Sequence, residues 1–245
     1  MSSPNSKCQF HIHIQALALS IALTIIFSLC HSTGIASTSA VKTYTMAEIK
    51  KARIHLLVNK YHKLPKNYKA ANLASISKKV PVRFAGLKLN SQALIYLRQM
   101  YLAAKKKGIN IYVYSGYRTF AEQTRLFNNK VKFYQQNHTK AEAIKLASKI
   151  VAPPNTSEHQ TGLAVDLLST KYRVRDSGFA NSEAGKWLKA NGWKFGFILR
   201  YPSTKVKITE IIFEPWHYRF VGKIQAKKMH LKKVCLEEYA ALEAK

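Results

Sequence analysis

The sequence predicts an α+β fold, a small antiparallel sheet with flanking helices. Helical and strand-like segments are mixed along the chain without a regular alternation of crossover units, which argues against a parallel, doubly wound sheet. The strand-like segments are short: Ile109 to Tyr114 alternates, Leu163 to Leu168 is an apolar run broken by one acid, and Ile208 to Phe213 alternates again. No internal repeat and no low-complexity linker separates these segments.

Each element has its own signal. Lys7 precedes an uncharged run of about 17 residues, Ile14 to Cys30, and small residues fill Ser32 to Ala40. That is the layout of a secretory signal peptide. The run also reaches the short limit of a membrane span, so an uncleaved anchor is the alternative. Either way the remainder is expected outside the cytoplasm, in the periplasm or cell envelope. Residues 45 to 58 read as a basic helix with apolar Met46, Ile49, Ile54, Leu57 and Val58. Leu64-Pro65 reads as extended chain, and Leu89 to Lys106 as a helix ending at Gly108. The strand Ile109 to Tyr114 delivers Ser115-Gly116-Tyr117-Arg118 to its far end, before a helix from Ala121 to Asn128. A further helix near Lys140 to Val151 stops at Pro153-Pro154, and a loop leads from there into the strand carrying Asp166. Ser182 caps a helix that runs to Ala190 and closes at Gly192, and Ile208 to Phe213 is expected as a strand running into Pro215.

Composition narrows the class of partner. The 245 residues carry 40 Lys and Arg against 12 Asp and Glu, a formal net charge of +28. Such a chain calls for a polyanionic neighbour. No zinc finger, helix-turn-helix or aromatic ribonucleoprotein motif accompanies the lysines, so no specific nucleic acid is expected. An anionic wall polymer or membrane surface fits the charge instead. Of the three cysteines, Cys8 and Cys30 belong to the leader. Cys235 is left without a disulfide partner and is expected to pack near a helix start.

Against this basic background the acids stand out. Only two are aspartates, and Asp166 sits inside the apolar run Leu163 to Leu168. An ionised carboxylate buried there must be paired or bound to metal. One reading is a buried salt bridge to an arginine. The other is a metal site, because His159 lies seven residues upstream across Gly162. A catalytic zinc takes three nitrogen or oxygen ligands from the protein and keeps one position open. His159, Asp166 and His217 form such a set for one Zn²⁺, with Glu214 placed to act as a base and Glu158 as the next candidate. A spacing of three puts Glu214 and His217 on opposite faces of an ideal strand, so the strand must break between them. Pro215 does that, and Trp216 is expected to turn away and pack.

Four ordered motifs carry a resemblance. Tyr114-Ser115-Gly116-Tyr117-Arg118-Thr119 with Gln123, Ser157 to Asp166, Gly196 to Pro202, and Glu214-Pro215-Trp216-His217-Tyr218-Arg219 together resemble the VanY-type D-alanyl-D-alanine carboxypeptidases and their L,D-carboxypeptidase relatives. The similarity extends more weakly from Val58 to Tyr239. It implies the small α+β fold shared by these peptidases and the hedgehog signalling domain. It divides the chain into a leader (1–40), a helical spacer (41–57) and a zinc carboxypeptidase domain (58–245). It also implies that His159, Asp166 and His217 bind zinc and that Glu214 is the catalytic base. Arg118 matches the position that polarises the scissile carbonyl. Gln123 and Ser157 match positions near the substrate's terminal carboxylate, and Tyr117 and Tyr201, from the same motifs, complete the expected substrate contacts. The implied substrate is a peptidoglycan stem peptide; the sequence leaves the oligomeric state open, with a monomer the expectation. A wall-degrading endopeptidase and a non-catalytic wall-binding module are the alternatives. Glu210-Ile211 departs from the pattern, where a Gly and an aromatic are usual, and puts substrate preference in question.

Overall fold

The computed structural model describes residues 40–244, and the expected leader lies outside them. In chain order the elements are β1 (Lys42–Thr43), α1 (Met46–Ala52), β2 (His62–Lys63), β3 (Leu73–Ser75), β4 (Lys88–Asn90), α2 (Ser91–Lys106), β5 (Ile111–Ser115), α3 (Phe120–Tyr134), α4 (Lys140–Ser148), β6 (Ala164–Ser169), α5 (Glu183–Asn191), β7 (Phe197–Leu199), α6 (Val206–Thr209), β8 (His217–Phe220), α7 (Lys223–Lys232) and α8 (Leu236–Glu243). Four strands form the central sheet, in the order β5-β6-β8-β7. Every neighbouring pair in it is antiparallel, as the α+β reading expects. No helix among the described residues is long and apolar enough to cross a membrane.

Local chemistry explains where the helices begin. Asn90 caps α2, its side chain accepting from the backbone N–H of Gln92 and Ala93. Thr119 with Glu122 and Thr139 with Glu142 form capping boxes at α3 and α4. Ser182 accepts from Gly185 N–H at the start of α5. The α2 residues Ala93, Leu94, Leu97, Met100 and Ala104, spaced by one helical turn, are buried. They pack in one core with Val113, Val165, Leu167, Phe197 and Phe220 from the sheet.

Two expectations need correction. Residues 41–57 are not a separate spacer. β1 pairs with β2 through Lys42↔His62 and Thr43↔Lys63, Ile49 packs with Leu56, Val58 and Leu64, and the segment belongs to the same compact unit as the rest. Residues 208–213 do not form a strand. The chain makes the short helix α6 and leaves it through Glu210 at φ 56°. Lys60 Nζ and Tyr61 Oη both hydrogen-bond the Glu210 carboxylate, Tyr61 at 2.6 Å. Those tertiary contacts override the alternating pattern, and the strand forms one motif later, at β8.

Candidate metal centre and active site

Three different backbone devices bring the three predicted ligands together. Asp166 lies on the buried central strand β6, opposite His217 of β8 and Ser115 of β5. His159 lies on a single 3₁₀ turn, Glu158–Thr161, that ends at Gly162 with φ 71°. The left-handed turn favours glycine here, and a Cβ would stand 2.7 Å from Leu73 Cδ2 and force that side chain to shift. His217 opens β8 directly after a tight turn. Its N–H donates to the Glu214 carbonyl at 3.1 Å, and Glu214 N–H donates to the Tyr201 carbonyl at 3.1 Å. Pro215 occupies the turn, which puts Glu214 and His217 on the same pocket, and Trp216 is buried in the core.

Donor chemistry tests the fit to a metal. His159 Nδ1 lies 2.7 Å from the Gly116 carbonyl oxygen, which only accepts, so Nδ1 carries the hydrogen and Nε2 keeps its lone pair. That lone pair faces Asp166 Oδ1 at 3.4 Å. Two acceptors face each other in a buried site, and neither His159 Nε2 nor Asp166 Oδ1 has a hydrogen-bond partner. His217 Nδ1 lies 3.2 Å from the same Oδ1. The three atoms are within 4.8 Å of one another, and a tetrahedral ion with bonds of about 2.0–2.2 Å needs donors roughly 3.3 Å apart. One cation resolves the acceptor–acceptor conflict, and the nitrogen–oxygen donor set suits zinc.

Without the ion the two imidazoles differ, and the proton that His217 then carries is one that metal binding must displace. Burial, helped by the Arg118 charge, pulls His159 down to about 4, so the imidazole is neutral. Burial would lower His217 too, but the facing Asp166 and Glu158 carboxylates raise it to about 9. The two imidazoles hold the buried Asp166 carboxyl well below the usual carboxylate range. Asp166 therefore presents a full negative charge to the centre. Burial, with Asp166 adding and His217 opposing, pushes the Glu214 carboxyl up to about 7. Glu214 Oε2 lies 3.7 Å from His217 Nδ1, beside the ligand atoms.

The remaining predicted residues divide. Tyr117, Arg118, Ser157, Tyr201 and Glu214 line one cleft of about 730 Å³ with the three ligands. The Tyr201 ring centroid is 4.9 Å from that of His217. Arg118 is half-buried, and its Nε is a buried donor without a protein partner. Gln123 is not among the residues that line the cleft. It is 0% exposed, its Oε1 accepts from Arg118 Nη1 at 2.7 Å, and its Nε2 donates to the Ala152 carbonyl at 2.6 Å. Both ends of its amide are engaged, and one of them holds Arg118 in place. Glu158 is excluded as a reserve base. It is 1% exposed, and Arg200 Nε and Arg219 Nη1 each donate to its Oε1 at 2.8 Å. Cys235 is buried at the start of α8, as expected.

Two features escaped sequence reasoning. Arg175 Nη1 donates to Asp166 Oδ2 at 3.2 Å, so Asp166 has the arginine partner of the first reading and the imidazole partners of the second. Glu158 also belongs to a buried network in which Arg200 grips Glu237 with two hydrogen bonds, 2.8 and 2.6 Å long. In the same network Arg219 donates to the carbonyls of Leu56, Ile54 and Phe220.

Comparison with known proteins matches this arrangement to a family. The family model described as VanY: D-alanyl-D-alanine carboxypeptidase matches residues 86–223, more than half of the chain. Putative carboxypeptidase YodJ of Bacillus subtilis (strain 168) is 40% identical over 195 residues. The match covers 75% of this chain but 65% of that relative's length. Among solved structures, the LdcB LD-carboxypeptidase superposes with a TM-score of 0.72 at 35% identity, covering 82% of this chain and 90% of its own. A mutant of the vancomycin-resistance D,D-pentapeptidase VanY in complex with Zn(II) superposes with a TM-score of 0.66 at 37% identity, covering 76% and 98%. With its family model, its relatives and its fold in agreement, the chain belongs to the VanY family of D-alanyl-D-alanine carboxypeptidases.

Proposed function

We propose that this chain is a zinc carboxypeptidase that removes the C-terminal D-alanine from peptidoglycan stem peptides outside the cytoplasmic membrane. The observation that carries the reading is the convergence of His159 Nε2, Asp166 Oδ1 and His217 Nδ1 beside Glu214 in one cleft. Zinc held by these three residues supplies Lewis acidity, polarising a carbonyl oxygen and making water more acidic.

The protein's own residues do the rest. Glu214, poised near neutrality by burial, takes a proton from the attacking water and returns it to the leaving amine. Arg118, aimed by Gln123, offers its unpartnered Nε–H to the negative charge that develops on the carbonyl oxygen. Ser157 and Tyr117 line the cleft beside it and supply hydroxyl groups for the terminal carboxylate. Tyr201, buried against His217, closes one side of the centre and excludes water. The segment 1–40 acts as the export leader, the strongly positive charge holds the monomeric enzyme near anionic wall or membrane surfaces, and no specific nucleic acid is involved.

The test is to incubate the zinc-loaded protein with defined pentapeptide and tetrapeptide muropeptides and read the products by mass. Loss of a single alanine from either supports the reading and identifies the bond as D,D or L,D. Equal cleavage of a substrate whose terminal carboxylate is amidated would contradict it and identify an endopeptidase.

A further inference from the structure

The wall of the cleft holds a second concentration of charge that the hydrolytic reading does not use. Segment 81–83 runs beside β5, with Val113 N–H donating to the Pro81 carbonyl at 2.9 Å and Arg83 N–H donating to the Val113 carbonyl at 2.8 Å. That anchors Arg83 over the Tyr114 ring, its guanidinium carbon 4.3 Å from the centroid. Arg175 arrives from the loop after β6 and places its own guanidinium carbon 5.0 Å from the same centroid and 5.9 Å from that of Trp216. Two like charges from distant parts of the chain are thus gathered around one aromatic ring on the cleft wall. Arg83 is exposed and Arg175 partly so, which leaves both guanidiniums able to take up an anion that enters the cleft.

No protein carboxylate serves both arginines. Among the described residues no carboxylate lies within ion-pair distance of Arg83, and the partner of Arg175 is Asp166, which belongs to the metal centre. Glu214 of the same wall makes no ion pair with either arginine and lies beside His217 Nδ1 at 3.7 Å, and the remaining acids are engaged. Asp176 Oδ1 accepts from Tyr172 Oη at 2.7 Å and from Gly178 N–H at 2.9 Å. The Glu122 carboxylate caps α3 through Thr119. Glu158 is held by Arg200 and Arg219. Exposed Phe84 beside Arg83 adds an apolar surface for a peptide backbone or methyl group.

Resting on the stem-peptide reading above, we propose that Arg83 and Arg175 form a carboxylate subsite for the part of the substrate that stays on the acyl side of the scissile bond. The ligand is a second, internal carboxylate, distinct from the terminal one read near Arg118. In a stem peptide that chemistry has two sources: the free α-carboxylate of a glutamate joined through its side chain, and the second carboxylate of a diamino diacid. The subsite makes the enzyme selective for acidic over amidated stems.

The experiment compares kcat/KM for peptides that differ in one internal group, free acid or amide, at each of the two positions in turn. The wild-type, zinc-loaded protein should favour the free acid at one position by about tenfold, through KM, as loss of a charge-assisted hydrogen bond implies. Added salt should shrink the preference. Arg83→Gln should bring the ratio close to 1, and Arg83→Lys should keep part of it. The position showing the preference identifies the source of the carboxylate. A wild-type ratio near 1 at both positions, or an Arg83→Gln ratio equal to that of wild type, overturns the subsite. If no peptide is cleaved at all, the hydrolytic reading falls separately. The subsite is then judged by calorimetric binding of the same peptides to zinc-loaded Glu214→Gln, where equal affinity for acid and amide overturns it.

Discussion

Two buried charged clusters lie side by side in this protein and differ in how they are completed. In the first, Glu158, Arg200, Arg219 and Glu237 neutralise one another, and Arg219 reaches carbonyls of Leu56, Ile54 and Phe220 as well. In the second, Asp166, His159, His217 and Glu214 gather acceptors against one another, and His159 Nε2 and Asp166 Oδ1 have no protein partner. The first is completed by the chain itself, save for Glu158 Oε2, and ties the 3₁₀ turn, the residue after β7, β8 and α8 together. The second is arranged to be completed by a ligand. Glu158 joins them, its Oε1 held by both arginines and its Oε2 facing His217 Nε2 at 3.7 Å. Burial alone does not mark a functional site. Burial with uncompensated acceptors does.

The largest expected effect breaks the self-completed cluster. Arg219→Ala leaves Glu158 with one guanidinium and strands backbone carbonyls, and should destabilise the fold by about 3–5 kcal/mol. Urea denaturation checks this, and loss of activity would follow from unfolding. The second cluster should respond in the opposite way. Glu214→Gln should leave the urea midpoint and zinc content unchanged while turnover falls by roughly 100-fold to 10,000-fold. Gln123→Ala should fall between the two. It frees Arg118 and leaves the Ala152 carbonyl unpaired, which should destabilise by about 1–3 kcal/mol, and it should lower kcat with zinc still bound.

Acid sharpens the contrast. Arg200 holds the mostly buried Glu237 carboxyl below its ordinary value of 4.5, against the effect of burial. A depressed folded-state pKa contributes stability that is fully present above 4.5 and is lost as pH falls through the folded value. Urea midpoints of the wild type should therefore drop below pH 4.5, and those of Glu237→Gln should drop less over the same range. The smallest effect concerns Cys235. Burial raises its thiol to about 12, so the native protein should react with a maleimide at pH 8 far more slowly than the unfolded chain.

Legibility in the sequence follows the range of the interactions. His159, Asp166, Glu214 and His217 are chemically conspicuous in short motifs, and turns at Gly162 and Pro215 announce how each is presented. Ser182 was readable as a helix start because it acts on a backbone group three residues away, and Asn90, Thr119 and Thr139, whose reach is as short, carry the same local signal. Glu158, Arg200 and Glu237 appeared in the motifs, but partners 42 and 37 residues apart leave no local trace of who pairs with whom. Arg175 gave no signal because a loop closure alone brings it to Asp166. Gln123 could be placed near Arg118 by its spacing on α3, yet the Ala152 carbonyl that engages its other end lies 29 residues on. The expected strand at 208–213 failed for the same reason, since Lys60 and Tyr61 decide the backbone at Glu210.

The central claim is that one metal ion completes the second cluster. Elemental analysis together with thermal unfolding before and after one equivalent of zinc tests it, on the wild type, His159→Ala and His217→Ala. The account predicts one zinc per wild-type chain and a midpoint raised by the added metal, with near-zero zinc and no shift in either variant. Full zinc content and an undiminished shift in both variants would contradict it.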